Sequence, residues 1–219
     1  MSHRRLLWAL RLLLLVVPCG DANARQAADL RDLSLGMSVA NIPPEEYINL
    51  ACADNQDIRL AGWKDFRTCP PNEMGLHVIS FRFNDEVNPL AAVNDKYEGT
   101  KLGGHPVLVR GLVDKSGALQ GIRIDTDPNA RPFWRKKAFL LALIVKARYG
   151  ETGWTCREAE DHDGETPVGG VFIKEHCEKH SEQRHLVLDR EIYRRADQAL
   201  SDFVNATHLL IRPTRPNAD

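Results

Sequence analysis

Alternation of apolar and polar positions is clearest in residues 76–83. There Val78, Ser80 and Arg82 point one way and Ile79, Phe81 and Phe83 the other, which predicts a half-buried strand. Residues 106–113 and 118–125 flank Asp114-Lys115-Ser116-Gly117 and predict a hairpin. Runs rich in β-branched and aromatic residues predict further strands at 47–53, 154–159, 169–177, 185–193 and 207–212. The period changes over residues 131–150. Pro132 suits the first turn of a helix and Gly150 its stop. Residues 138–145 are apolar all round, so this helix is expected to be covered on more than one side. Ser38 can cap a short helical turn that ends before Pro43-Pro44, and residues 194–205 suggest a second short helix. Residues 84–104 form a polar, Gly-rich connection. Its last part, Gly99-Thr100-Lys101-Leu102-Gly103-Gly104-His105, lacks the Gly-Lys-[Ser/Thr] of a phosphate loop and reads as the approach to strand 106–113.

Together these elements predict an α+β fold, an antiparallel sheet with helices packed on one face. The first reading is a single α+β domain over residues 25–219. The halves 33–125 and 126–212 share an order: helical element, Cys-bearing strand, polar loop, second Cys-containing segment, apolar strand. Two tandem disulfide-stapled modules are therefore the alternative.

Residues 1–24 read as a signal peptide. Arg4 and Arg5 precede an apolar run at 6–17, and Ala22-Asn23-Ala24 offers a small-x-small cleavage site. The run is too short for an easy membrane span, so no transmembrane anchor is expected after cleavage near Ala24. Pro18 and Val16-Val17 make Cys19 a poor lipid acceptor. A periplasmic or secreted location follows, in a bacterial cell. Cys52, Cys69, Cys156 and Cys177 then read as a disulfide framework, with the local pairing Cys52–Cys69 and Cys156–Cys177 expected. The chain carries 29 basic and 30 acidic residues. Its near balance argues against nucleic acid or an anionic membrane as the main partner.

Leu33-Ser34-Leu35-Gly36-Met37-Ser38, with Ile42 four positions on, resembles the L-x-x-G-M-[ST] opening of BamE/SmpA-type periplasmic modules. Tandem modules of related architecture occur in beta-lactamase-inhibitor proteins. The resemblance implies a helical start packed on an antiparallel sheet, and a role in envelope assembly. The chain departs from that opening at Pro43-Pro44, which ends the helical turn early.

Candidate chemistry is sparse. The chain has no Gly-x-Ser-x-Gly, and bridged cysteines leave no thiolate, so no catalytic residue is assigned. Asp125 and Asp127 would share a strand face, but the following Pro-Asn-Ala-Arg-Pro reads as entry into the helix. Trp63, in a polar loop, is expected to be exposed. With Lys101 and His105 it forms the candidate ligand-binding set, whereas Trp134 and Trp154 are expected to be core or disulfide-packing residues.

The stretch His-Cys-Glu-Lys-His-Ser-Glu-Gln-Arg-His, residues 176–185, is the candidate metal site. In a helix His176 and His180 would share a face; the flanking β-branched residues favour strand and turn instead. A hairpin centred on His180-Ser181 places His176 opposite His185, with His162 as third ligand. No cofactor other than such a metal is called for. The sequence thus predicts an exported, non-catalytic binding protein that recognises a protein or small ligand. Its recognition surface would be the loop face carrying Trp63 and residues 84–104. The alternatives are a metal-binding protein or metal-dependent enzyme, and an envelope-assembly accessory factor.

Overall fold

A computed structural model describes residues 28–84, 100–159, 163–199 and 202–214. The signal peptide, Cys19, His162 and most of the 84–104 connection lie outside these residues. The described strands are β1 (Tyr47–Cys52), β2 (His77–Phe83), β3 (Thr100–Leu102), β4 (His105–Val113) and β5 (Leu119–Thr126), then β6 (Thr155–Glu158), β7 (Ile173–His180), β8 (Arg184–Tyr193) and β9 (Val204–Pro213). All join one antiparallel sheet in the order β1-β2-β4-β5-β9-β8-β7-β6, with β3 beside β4. The first half of the chain lays strands inward from one edge and the second half inward from the other. Their last strands, β5 and β9, pair at the seam. Antiparallel sheet dominates and helices are few, so α+β describes the fold only coarsely.

The alternation read in residues 76–83 is present in β2, where His77, Ile79, Phe81 and Phe83 are buried and the residues between them are not. The same two-sidedness crosses the whole sheet. Cys156, Cys177, Leu188, Leu209, Ile124, Val109 and Phe81 are successive cross-strand partners from β6 to β2. From Cys177 onward every one of them is buried. Burying such side chains contributes roughly 1.5–3 kcal/mol each.

The covering layer is thin. It comprises α1 (Pro132–Arg135), α2 (Leu141–Tyr149) and short 3-10 turns at Val39–Asn41, Trp63–Thr68 and Ala138–Leu140. Val39, Trp63, Phe66, Leu141, Ala142 and Val145 join the same core as the sheet. Ser38 caps the first turn, its Oγ accepting from the Ala40 amide.

The structure departs from the sequence pattern at several points. The helix over 131–150 is broken, because β9 captures its backbone: the Phe139 amide donates to Asn205 Oδ1, and Thr207 Oγ1 donates to the Ala138 carbonyl. Those bonds replace rungs of the helical ladder. Its apolar run is covered on one side, since Leu143 is 55% exposed. The described part of 194–205 is a turn, and Asn205 already pairs with Ile192 of β8. The end of the 84–104 connection is ordered as β3. A two-residue turn at Gly103-Gly104, both at positive φ, returns it onto β4. Trp63 is 3% exposed rather than displayed on a loop; its ring packs 4.9 Å from Phe81 and 5.7 Å from Tyr47.

Both expected disulfides form, Cys52–Cys69 and Cys156–Cys177. They fit an oxidising compartment. Among the described residues no helix is long and apolar enough to cross a membrane.

Candidate functional site

The sheet face opposite the core is strongly polar. Arg157, His176, Asp189, His208, Asp125 and Leu108 are successive partners across it from β6 to β4. The neighbouring row runs Glu178, Val187, Leu210, Arg123, Arg110, Ser80 from β7 to β2. Strand parity alone aligns these groups. They form a central anchor, an arginine-lined depression to one side of it, and a histidine cluster to the other.

Asp125 is the anchor. Its carboxylate accepts from Arg110 Nη1, from Arg123 Nε at 3.1 Å and from His208 Nδ1 at 2.6 Å. Burial alone would raise its pKa. The His208 hydrogen bond and the charges of Arg123, His208 and Arg110 outweigh that and hold it below the usual carboxylate value. The hydrogen bond to Asp125 in turn raises the His208 imidazole, against its own burial. Asp125 is thus a structural hub of the sheet seam rather than a helix-entry acid. Asp127, beyond the end of β5, lines the depression.

The depression has a volume of about 400 Å3 and lies over β2 and β4. Arg59, Arg82, Arg110, Asn49, Gln56 and Ser80 line it. A bulge in β1, where the register slips between Ile48 and Ala51, puts Asn49 at φ +56°. Asn tolerates that conformation better than most residues. Arg110 is held by Asp125, but among the described residues neither Arg59 nor Arg82 has a carboxylate within ion-pair distance.

The histidine cluster sits at the β7–β8 hairpin. Its turn closes at Ser181 and Arg184, where the Ser181 amide donates to the Arg184 carbonyl, so His180 lies opposite His185. The expected centre at His180-Ser181 is displaced by two residues. His176 therefore faces Asp189, its Nδ1 2.6 Å from Oδ1, and not His185. Glu178 stands between the imidazoles: His176 Nε2 is 3.0 Å from Oε1, His185 Nε2 2.8 Å from Oε2 and His180 Nε2 3.5 Å from Oε2. Hydrogen bonds from His176 and His185 pull the Glu178 carboxyl down to about 2. Hydrogen bonds to Glu178 and Asp189 raise His176, while burial lowers His185.

Of the expected site residues, His176 and His185 belong to one cluster but not as a cross-strand pair. His162 lies outside the described residues. Trp63 is in the core. Lys101 places its ammonium 5.4 Å from the Trp134 ring, and His105 is buried nearby, its pKa lowered by burial and by Lys137. Neither lines the arginine depression. Glu178 and His180 belong to the cluster on strand parity, which a correct hairpin turn would have supplied. Ser80 and Arg82 were already on the outward face in the sequence pattern, whereas Arg59 and Asn49 carried no signal.

No family model, no curated protein and no solved structure matches the chain.

Proposed function

We propose that this is an exported, non-catalytic binding protein that takes a small anionic ligand in the depression on the open sheet face. One observation carries the reading: two arginines that have no carboxylate partner among the described residues, Arg59 and Arg82, line a cavity of about 400 Å3. That volume falls within the range of small-molecule sites. Guanidinium forks suit carboxylate, phosphate or sulfate groups, which accept two parallel hydrogen bonds. Asn49, Gln56 and Ser80 add neutral polar groups around them. A non-catalytic role is supported by the chemistry of the face. Asp125 is held by Arg110, Arg123 and His208, and the four described cysteines are bridged.

Isothermal titration with phosphate, sulfate and succinate tests this reading. At least one of the three is expected to bind, and Arg82→Ala is expected to weaken it about tenfold or more, the scale of one charge-assisted hydrogen bond. Absence of binding by all three, or binding indifferent to both Arg82→Ala and Arg59→Ala, would reject it.

A further inference from the structure

The histidine cluster lies on the same face as the depression but is chemically separate from it. We propose that Glu178, His180 and His185 form a binding site for a divalent transition metal of the zinc or copper class. One ligand atom from each of these residues lies within 4.8 Å of the other two. Around an ion bound at ~2.1 Å, tetrahedral ligands stand about 3.4 Å apart, so closure of the set is a small movement. Two imidazoles and one carboxylate suit zinc or copper rather than the oxygen-seeking calcium or magnesium.

Each ligand has a distinct freedom to move. His185 is the fixed wall, its side chain 11% exposed, whereas the side chain of His180 is 60% exposed at the hairpin end. The two rings stack at 3.9 Å with 17° between planes. Stacked rings set their Nε2 atoms side by side rather than aimed at a common point. Metal entry therefore turns the exposed His180 ring, leaving the wall in place. His176 is a positioning residue. It holds the far oxygen of Glu178, and Asp189 fixes its ring through Nδ1. Such outer contacts commonly orient metal ligands.

Arg212 opposes the ion. Its Nε–H donates to His185 Nδ1 at 3.0 Å, which leaves the imidazole proton on Nε2, donated to Glu178. Metal binding at Nε2 moves that proton to Nδ1 and turns the Arg212 donor away. No proton is released from a neutral His185 in this exchange.

The test is calorimetric titration of tag-free full-length protein with Zn(II) and Cu(II), with Mg(II) and Ca(II) as controls, and with unfolding temperature as a second readout. One equivalent of Zn(II) or Cu(II) is expected to bind and to raise the unfolding temperature. His180→Ala, at an exposed position, is expected to keep the fold and lose about 100-fold in affinity, at or above the scale seen for outer-contact losses. Glu178→Gln is expected to weaken binding in the same direction. Absence of Zn(II) and Cu(II) binding, or binding unchanged in both variants, would overturn the proposal. Anion titration at the arginine depression is scored independently, so failure of either site leaves the other standing.

Discussion

His208 on β9 and Asp125 on β5 are direct cross-strand partners at the seam between the two halves of the sheet, with Nδ1 2.6 Å from Oδ1. The pair ties stability to pH. The folded-state pKa of His208 is raised, so its contribution is complete below the unfolded value near 6.5 and is lost as pH rises through the folded value. Asp125 is depressed. Its contribution is present above the unfolded value near 3.8 and is lost as pH falls through the folded one. Urea unfolding across pH 5–9 is expected to show a loss of stability above about 6.5, to which the likewise raised His176 also contributes, and His208→Gln is expected to reduce it. An unchanged slope in that variant would refute the assignment.

Asp125→Asn is expected to destabilise by about 2–3 kcal/mol at neutral pH. It leaves Arg110 and His208 partly buried without their counter-charge, while the more exposed Arg123 adds little. Chemical denaturation measures this. A loss below about 0.5 kcal/mol, the range of an ordinary surface change, would show that the network is dispensable.

Trp63 distinguishes a core role from a ligand-binding one. It packs against Tyr47 and Phe81, and a Cβ on Gly111 would stand 3.2 Å from its ring. Trp63→Ala is expected to cost about 3–5 kcal/mol of stability. Near-native stability with selective loss of ligand binding would instead place the indole at a recognition surface.

The two disulfides are expected to behave differently. All four residues of β6 are exposed, so this edge strand buries no apolar side chain; its hydrogen bonds to β7 and the Cys156–Cys177 bridge hold it. Replacing that pair with serine is expected to raise hydrogen exchange locally at residues 155–158. Cys52 and Cys69 are each 1% exposed within the core. Their loss is expected to cost about 3 kcal/mol globally. Equal global effects from the two replacements would contradict this division.

Much of the sheet was legible because strand signals are local. Alternation in residues 76–83, the Asp114–Gly117 turn and the cysteine spacing each state their outcome within a short window. What escaped depends on distant partners. The break before Leu141 is imposed by Asn205 and Thr207, far along the chain. Strand β3 needed β4 to exist as a strand, since it has few residues of its own to declare it. The histidine stretch shows the limit most clearly. Strand parity alone puts the adjacent His176 and Cys177 on opposite faces. Which residue met which across the hairpin was set by the turn at Ser181–Arg184, and a displacement of two residues exchanged His185 for Asp189 as the partner of His176. The depression was least legible, because Arg59 and Asn49 reach it through a loop contact and a bulge.

On the proposed reading, Arg59 and Arg82 hold an anion on the open face. Arginine side-chain Nε–H resonances followed by NMR during titration with phosphate, sulfate or succinate test it most directly. Saturable shifts at Arg82 and Arg59, with the Arg123 and Arg212 signals changing little, are the expected result. Shifts spread evenly over exposed arginines, or saturable shifts that leave Arg82 and Arg59 untouched, would contradict it.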